Sequence, residues 1–313
     1  METTAAIPEL EDKVERFNIQ RKIVANMTTE SWTSIPHVSY IYKPDVTGFL
    51  EAYRIFDEAT PTYKISLNTV MLKVLTEGIK AAPKLNAHMR FQKRLVRGKM
   101  TYFDEIDVSV PWKLPDGNMM TITVKDAGRK SLRELVAYTN EINRKLENTN
   151  LNEALYSVSI HDTLERLKHG HFLRAAFRLY GSKTNPLHRV TPLKGAEKKA
   201  YDAIPECDKV TYKDLKQGTI TISNIGASTR GSRGFLDMLM IIPPQVCAIG
   251  ISATQREPIV VTDENGNEKT EIRTVLPMAI CFDHRAMDFG DVAPFIKRLD
   301  EIFEDPDIVL QDL

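Results

Sequence analysis

Residues 275–282, VLPMAICF, carry no charged side chain, and the run stops abruptly at Asp283-His284-Arg285. A strand that is apolar at every position needs cover on both faces, so this run predicts a central strand buried between layers. Beyond the polar turn, Val292, Ile296, Leu299 and Phe303 recur at spacings of four, three and four. That spacing predicts a helix over 291–303 with one face on the core. The rim of an α/β sheet, where a buried strand turns into a helix, is where binding groups tend to collect. An imidazole, with an unperturbed pKa of ~6.5, can serve there as a general base near neutral pH. Position alone favours a structural reading, in which Asp288 caps the helix and His284 is a hydrogen-bonded core residue.

The rest of the chain alternates helix and strand signals without a strict βαβ rhythm. PHVSYIYKPDV (36–46) reads as a strand, and Phe49, Leu50, Tyr53 and Phe56 line one helical face. SLNTVMLKVLTEGIKAAP (66–83) predicts a helix capped by Ser66 and ended before Pro83. Residues 87–127 are strand-rich, with a hairpin expected at Asp116-Gly117. From Lys130 to about Lys216 the pattern is helical. GTITISNIG and QVCAIGIS read as strands flanking the loop ASTRGSRG, and VTDENGNEKTEIRTV as a hairpin. The order predicts an α/β fold, a two-layer sandwich with a mixed β-sheet. The domain reading is a lead-in over 1–20 and one domain over 21–313, with a helical insertion at about 146–213.

Composition narrows the function classes. Lys+Arg and Asp+Glu both number 42, so the basic excess of a nucleic-acid-binding domain is missing. Cys207, Cys247 and Cys281 have neither disulfide-framework nor zinc-ligand spacing, and no metal is expected. FLDMLMIIPPQVCAIGI is too short and too broken by Asp237 and two prolines to span a bilayer. The N-terminus lacks a signal-peptide core, so a cytoplasmic protein is the expectation.

DHRAMDFGD, followed by FIKRLDEIFEDPDIVL, resembles the C-terminal signature of the dihydrolipoyl acyltransferases, the catalytic cores of 2-oxo acid dehydrogenase complexes. RKIVANMTTESWTSIPHVSY (21–40), PKLNAHM (83–89), DAGRKSLREL (126–135), GTITISNIG (218–226) and PPQVCAIGI (243–251) resemble further family segments in the same order. The resemblance implies a chloramphenicol acetyltransferase-like fold and acyl transfer between coenzyme A and a thiol such as dihydrolipoamide. It implies His284 as general base, Ser223 as oxyanion donor and Asp288 as organiser of the loop, supported by Arg21. It further implies a homotrimer with the active site at the subunit interface, and a lipoyl carrier protein as a partner. Arg230 and Arg233 are candidates for contacts to the phosphates of coenzyme A, the alternative being a solvated loop.

Three departures qualify that expectation. Phe289 replaces the glycine that follows the motif aspartate, with Gly290 one place late. The twenty or so residues ahead of RKIVANM are too few for a lipoyl domain, so the expectation is a lipoyl group supplied in trans. The stretch from about 146 to 213 is longer than in the family and holds RLKHGHFLRAAFRLYG, with His169, His171, Arg174 and Arg178. That segment is either a docking helix for an acidic carrier protein or a membrane surface, or an ordinary amphipathic helix with solvated charges. Cys281 is read as a buried small hydrophobe rather than a nucleophile, and His37 as structural. A non-catalytic trimeric scaffold that keeps the fold is the competing expectation.

Overall fold

The computed structural model describes residues 17, 19–60, 64–113, 119–168, 193–226, 228–229, 231–263 and 265–311. Its helices begin with α1 (Ile19–Ser34), α2 (Thr47–Ala59) and α3 (Leu67–Ala81), continue with α4 (Leu132–Glu147), α5 (Leu151–Lys168), α6 (Gly195–Ala203) and α7 (Tyr212–Leu215), and end with α8 (Phe289–Glu304) and α9 (Asp307–Leu310). Six strands form the main sheet: β1 (His37–Tyr42), β4 (Val108–Lys113), β5 (Met119–Val124), β6 (Ile220–Asn224), β7 (Cys247–Ile251) and β10 (Met278–Asp283). Their order is β1-β10-β7-β6-β4-β5. β7–β6 and β6–β4 are parallel and the other pairs antiparallel, so the expected mixed sheet is present.

β10 is buried at every position and sits between β1 and β7, as its apolar run requires. The run is nevertheless not one strand. Val275 ends β9 (Glu268–Val275), and Pro277, which has no N–H for the ladder, separates it from β10. Alternation along β10 gives each layer its share. Ile280 and Phe282 face α3 and α8, packing with Val74, Leu75, Ile79, Phe295 and Leu299. Gly78 lets α3 and α8 cross closely, because a Cβ there would come within 2.8 Å of the Phe295 ring. Ala279 and Cys281 face the other way, under Ile35, just past the end of α1, and the segment carrying Leu239 and Ile241.

Local signals hold where the chemistry is strong. Ser66 accepts from the Thr69 N–H at the start of α3, and Ser131 and Glu134 form a reciprocal capping box on α4. α8 begins two residues earlier than the spacing predicts, at Phe289. In the helical stretch, buried Glu153 of α5 accepts from the Leu193 N–H at 2.5 Å and from Lys198 Nζ at 3.1 Å, which ties α6 back to α5. The expected turn at Asp116-Gly117 and the segment with His169, His171, Arg174 and Arg178 lie outside the described residues. Two ribbons stand apart from the sheet: β2 (Ala87–Gln92) with β3 (Arg97–Tyr102), and β8 (Gln255–Thr262) with β9.

Candidate active site

His284 leaves the end of β10 on a turn anchored from both sides. Its N–H donates to Pro36 O at 3.1 Å, which fastens it to the start of β1. The neighbouring Asp283 is buried, and its carboxylate accepts from Arg285 Nε at 2.9 Å and Nη2 at 2.6 Å. This bidentate pair is short in sequence and fixes the turn immediately around the histidine. The backbone at His284 is therefore set by rigid elements, while its side chain remains 55% exposed.

The ring orientation decides what that side chain can do. Nδ1 lies 3.4 Å from Met287 O and 3.3 Å from an Asp288 carboxylate oxygen. Both partners are acceptors, so the neutral ring carries its proton on Nδ1 and leaves the Nε2 lone pair without a partner among the described residues. Such contacts are often long before a substrate arrives. Asp288 occupies the N-cap position of α8 with extended backbone, as its place in the sequence predicts. Its N–H donates to the Asp291 carboxylate at 3.2 Å, and its own carboxylate is turned toward His284. Arg21 lies exposed in the first turns of α1, and the ion pair described for Asp288 is the one with His284.

Phe289 opens α8 without the left-handed backbone that a motif glycine permits; the described non-glycine residues with positive φ are Val96 and Asp126. Its ring packs on Tyr40 of β1, with centroids 4.8 Å apart, and both rings stay partly exposed beside the His284 turn. A Cβ on Gly290 would meet open space, so nothing local demands glycine there. The aromatic partner Tyr40 is invisible to motif reading; the register of β1 on β10 is what brings it here.

Ser223 stands near the end of β6, paired with Gly250 of β7. A Cβ on Gly250 would come within 2.3 Å of Leu236, so that glycine admits the covering segment next to the serine. Asn224 closes the strand by donating to Asn68 of α3 at 2.7 Å and accepting from the Gly226 N–H at 2.8 Å. The sheet does not bring Ser223 to His284. His284 lies two residues past the Phe282–Cys247 pair and Ser223 opposite Gly250, five residues along and two strands across. At about 3.3 Å per residue and about 4.8 Å per strand, that is roughly 20 Å within one chain.

Other residues fall into supporting roles. His37 accepts from the Ile241 N–H at 3.1 Å through Nε2 and donates from Nδ1 to Ile35 O at 2.9 Å, and burial holds its pKa below the usual imidazole value. Cys281 is fully buried, accepts from the Leu239 N–H, and has its thiol pKa raised by burial. Arg233 is exposed in the loop after β6, while Arg230 lies outside the described residues. Among the described residues no group of three or more His, Cys, Asp or Glu side chains is placed to hold a metal ion, and no helix is long and apolar enough to cross a membrane.

Comparison with known proteins agrees with this architecture. The chain is 23% identical over 300 residues to the dihydrolipoyllysine-residue acetyltransferase component of the pyruvate dehydrogenase complex of Haemophilus influenzae, covering 94% of this chain and 40% of that protein. It is 24% identical over 307 residues to the corresponding component of Rickettsia conorii, covering 97% of this chain and 56% of the relative. The chain thus spans about half the length of these curated relatives. Among solved structures, the dihydrolipoamide acetyltransferase of Azotobacter vinelandii superposes with a TM-score of 0.62 at 19% identity, covering 97% of this chain and 99% of that one. That structure belongs to work on the role of a serine, a histidine and an asparagine in its catalytic mechanism. A probable dihydrolipoamide acetyltransferase of Listeria monocytogenes superposes with a TM-score of 0.61 at 18% identity over 94% of both chains. These structures share the fold. The family model of the 2-oxoacid dehydrogenases acyltransferase (catalytic domain) matches residues 9–157 and 200–311, and the chain belongs to that family.

Proposed function

We propose that this chain is an acyltransferase that exchanges an acyl group between coenzyme A and a second thiol, dihydrolipoamide on a lipoyl carrier domain. The observation that carries the reading is the half-exposed ring of His284, with acceptors at Nδ1 and, among the described residues, no partner at Nε2. Nε2 takes the proton from the attacking thiol, and the thiolate sulfur forms a bond to the acyl carbonyl carbon. The carbonyl oxygen becomes an oxyanion, to which the Ser223 hydroxyl donates. Collapse breaks the old carbon–sulfur bond, and the departing thiolate takes the proton from Nε2. Asp288 holds the Nδ1 proton in place throughout, and Arg233 is available for coenzyme A phosphates.

The spacing of groups supports this assignment. In the Azotobacter relative the histidine and asparagine whose catalytic roles were investigated are four positions apart, with the serine upstream. His284 and Asp288 have that spacing here, with Ser223 upstream. Since roughly 20 Å separates His284 from Ser223 within one chain, a working site takes its histidine from one subunit and its serine from the next. A homotrimer supplies three such sites. A solved neighbour is the cubic core of the pyruvate dehydrogenase multienzyme complex, an assembly of comparable chains.

Acyl transfer from short acyl-CoAs to free dihydrolipoamide, with CoA release followed by chromatography, tests the reading. His284→Ala and Ser223→Ala each lose turnover when expressed alone. Co-expressed, the two variants regain activity, because every mixed trimer contains one site with both residues intact. Absence of turnover in the wild type favours a non-catalytic scaffold; co-expression without recovery overturns the shared site.

A further inference from the structure

We propose that the β2–β3 ribbon is a docking surface for the acidic protein domain that carries the acceptor thiol. This inference rests on the acyl-transfer reading and adds to it the surface on which the carrier is held. Between Leu85 and Asp104 the sequence has no acidic residue, yet it contains Arg90, Lys93, Arg94, Arg97 and Lys99. All five are exposed. Among the described residues none of them forms an ion pair, whereas nearby Lys84 pairs with Asp291 at 2.7 Å and Arg129 with Asp126 at 3.3 Å. In a chain of zero formal net charge, this is a local positive field without internal neutralisation.

The register concentrates that field on one face. Arg90 lies directly opposite Lys99, and Arg97 opposite Gln92, so Arg90, Arg97 and Lys99 point to the same side of the ribbon. Like charges directly across a strand pair are destabilising. Folding gains nothing from the Arg90–Lys99 pair, and an anionic partner relieves it. At the tip, Lys93 and Arg94 flank Leu95 and Val96, which are 60% and 80% exposed. Apolar side chains surrounded by unpaired cations match a protein surface with carboxylates around an apolar contact. A nucleotide phosphate has no use for them.

The ribbon is also fixed in place beside the reactive turn. Its root is held by the Met89 N–H donating to Pro244 O at 2.8 Å, and by Asn86 Nδ2 donating to Phe103 O at 2.8 Å. On the face opposite the cations, the guanidinium of Arg285 lies over the Phe91 ring at 5.4 Å. Arg285 follows His284 in sequence, so the ribbon packs against the turn that carries the base.

The experiment measures binding of a recombinant, negatively charged lipoyl domain to the full chain by titration calorimetry at several salt concentrations. The probe is compared between wild type and the combined Arg90→Gln, Arg97→Gln and Lys99→Gln variant. The proposal expects wild-type affinity to fall with salt, a loss of tenfold or more in the variant, and thermal stability that is unchanged or slightly raised. In turnover assays the variant raises KM for the lipoyl domain and leaves free dihydrolipoamide unaffected. Wild type that fails to bind the lipoyl domain, or a variant that binds it equally well, overturns the proposal. A variant that instead loses affinity for coenzyme A assigns the face to nucleotide phosphates, and one that loses only binding to phosphatidylserine vesicles assigns it to a membrane; either overturns it. Failure of wild type to use free dihydrolipoamide counts against the acyltransferase reading alone, because the binding measurement does not depend on turnover.

Discussion

Two imidazoles stand side by side at one end of the sheet and do opposite work. His37 is paired in register with Asp283, one residue before His284. His37 has both nitrogens engaged by the backbone of Ile35 and Ile241, and so joins β1 to the segment covering the sheet. His284 has one nitrogen facing acceptors and the other without a partner among the described residues. Both rings are held as the Nδ1–H tautomer, so tautomer does not distinguish them. What distinguishes them is whether Nε2 is already used. A histidine with a saturated Nε2 is a staple, and one with a free Nε2 is a base.

Removing each ring tests that contrast. His284→Ala is expected to lower turnover by about 10²–10⁴-fold, the usual contribution of a positioned acid–base group, with no loss of thermal stability because the ring is exposed. The Asp283–Arg285 pair, which holds the turn, is untouched by that change. His37→Ala should do the reverse. It strips a partner from the Ile241 N–H and from Ile35 O, and costs about 1–3 kcal/mol in urea unfolding. Turnover per folded molecule should survive. Equal damage to stability in both variants would erase the distinction.

The same contrast has a pH dependence. Burial lowers the folded pKa of His37, and likewise of His88, below the usual value. An unfolded imidazole takes up a proton near ~6.5. Below that pH the unfolded chain binds protons that the folded chain refuses. Stability is therefore complete above about 6.5 and declines as pH falls toward the folded values. Thermal unfolding between pH 5 and pH 8 should show this slope, and His37→Gln should make it shallower. An unchanged slope would mean that His37 takes no part.

Much of this arrangement is legible in the sequence where one interaction dominates. The apolar pattern of 278–282 announces a central strand, and Ser66 with Thr69 announces the start of α3, because burial and capping are strong and local. The motif residues His284, Asp288 and Ser223 are also identifiable. Their geometry is not. The roughly 20 Å between His284 and Ser223 follows from strand order, which a linear pattern does not contain. Tyr40 under Phe289 likewise depends on register. The cations of the β2–β3 ribbon are readable as five basic residues with no acid between Leu85 and Asp104, but it is the strand register that places Arg90, Arg97 and Lys99 on one face.

The smallest expected effect concerns Asp288, and it separates orientation from charge. If the carboxylate mainly holds the Nδ1 proton of His284, an uncharged acceptor should nearly suffice. Asp288→Asn keeps a side-chain carbonyl oxygen at the same reach and is expected to lower turnover by less than about tenfold. Asp288→Ala leaves Met287 O, at 3.4 Å, as the remaining described acceptor and should cost more. The 83% exposure of Asp288 in one chain argues for this order, since a solvated charge contributes little through its field. Should Asp288→Asn be as damaging as Asp288→Ala, the charge itself is needed. Asp288 must then be desolvated in the assembled protein, at a subunit interface that closes over the His284 turn.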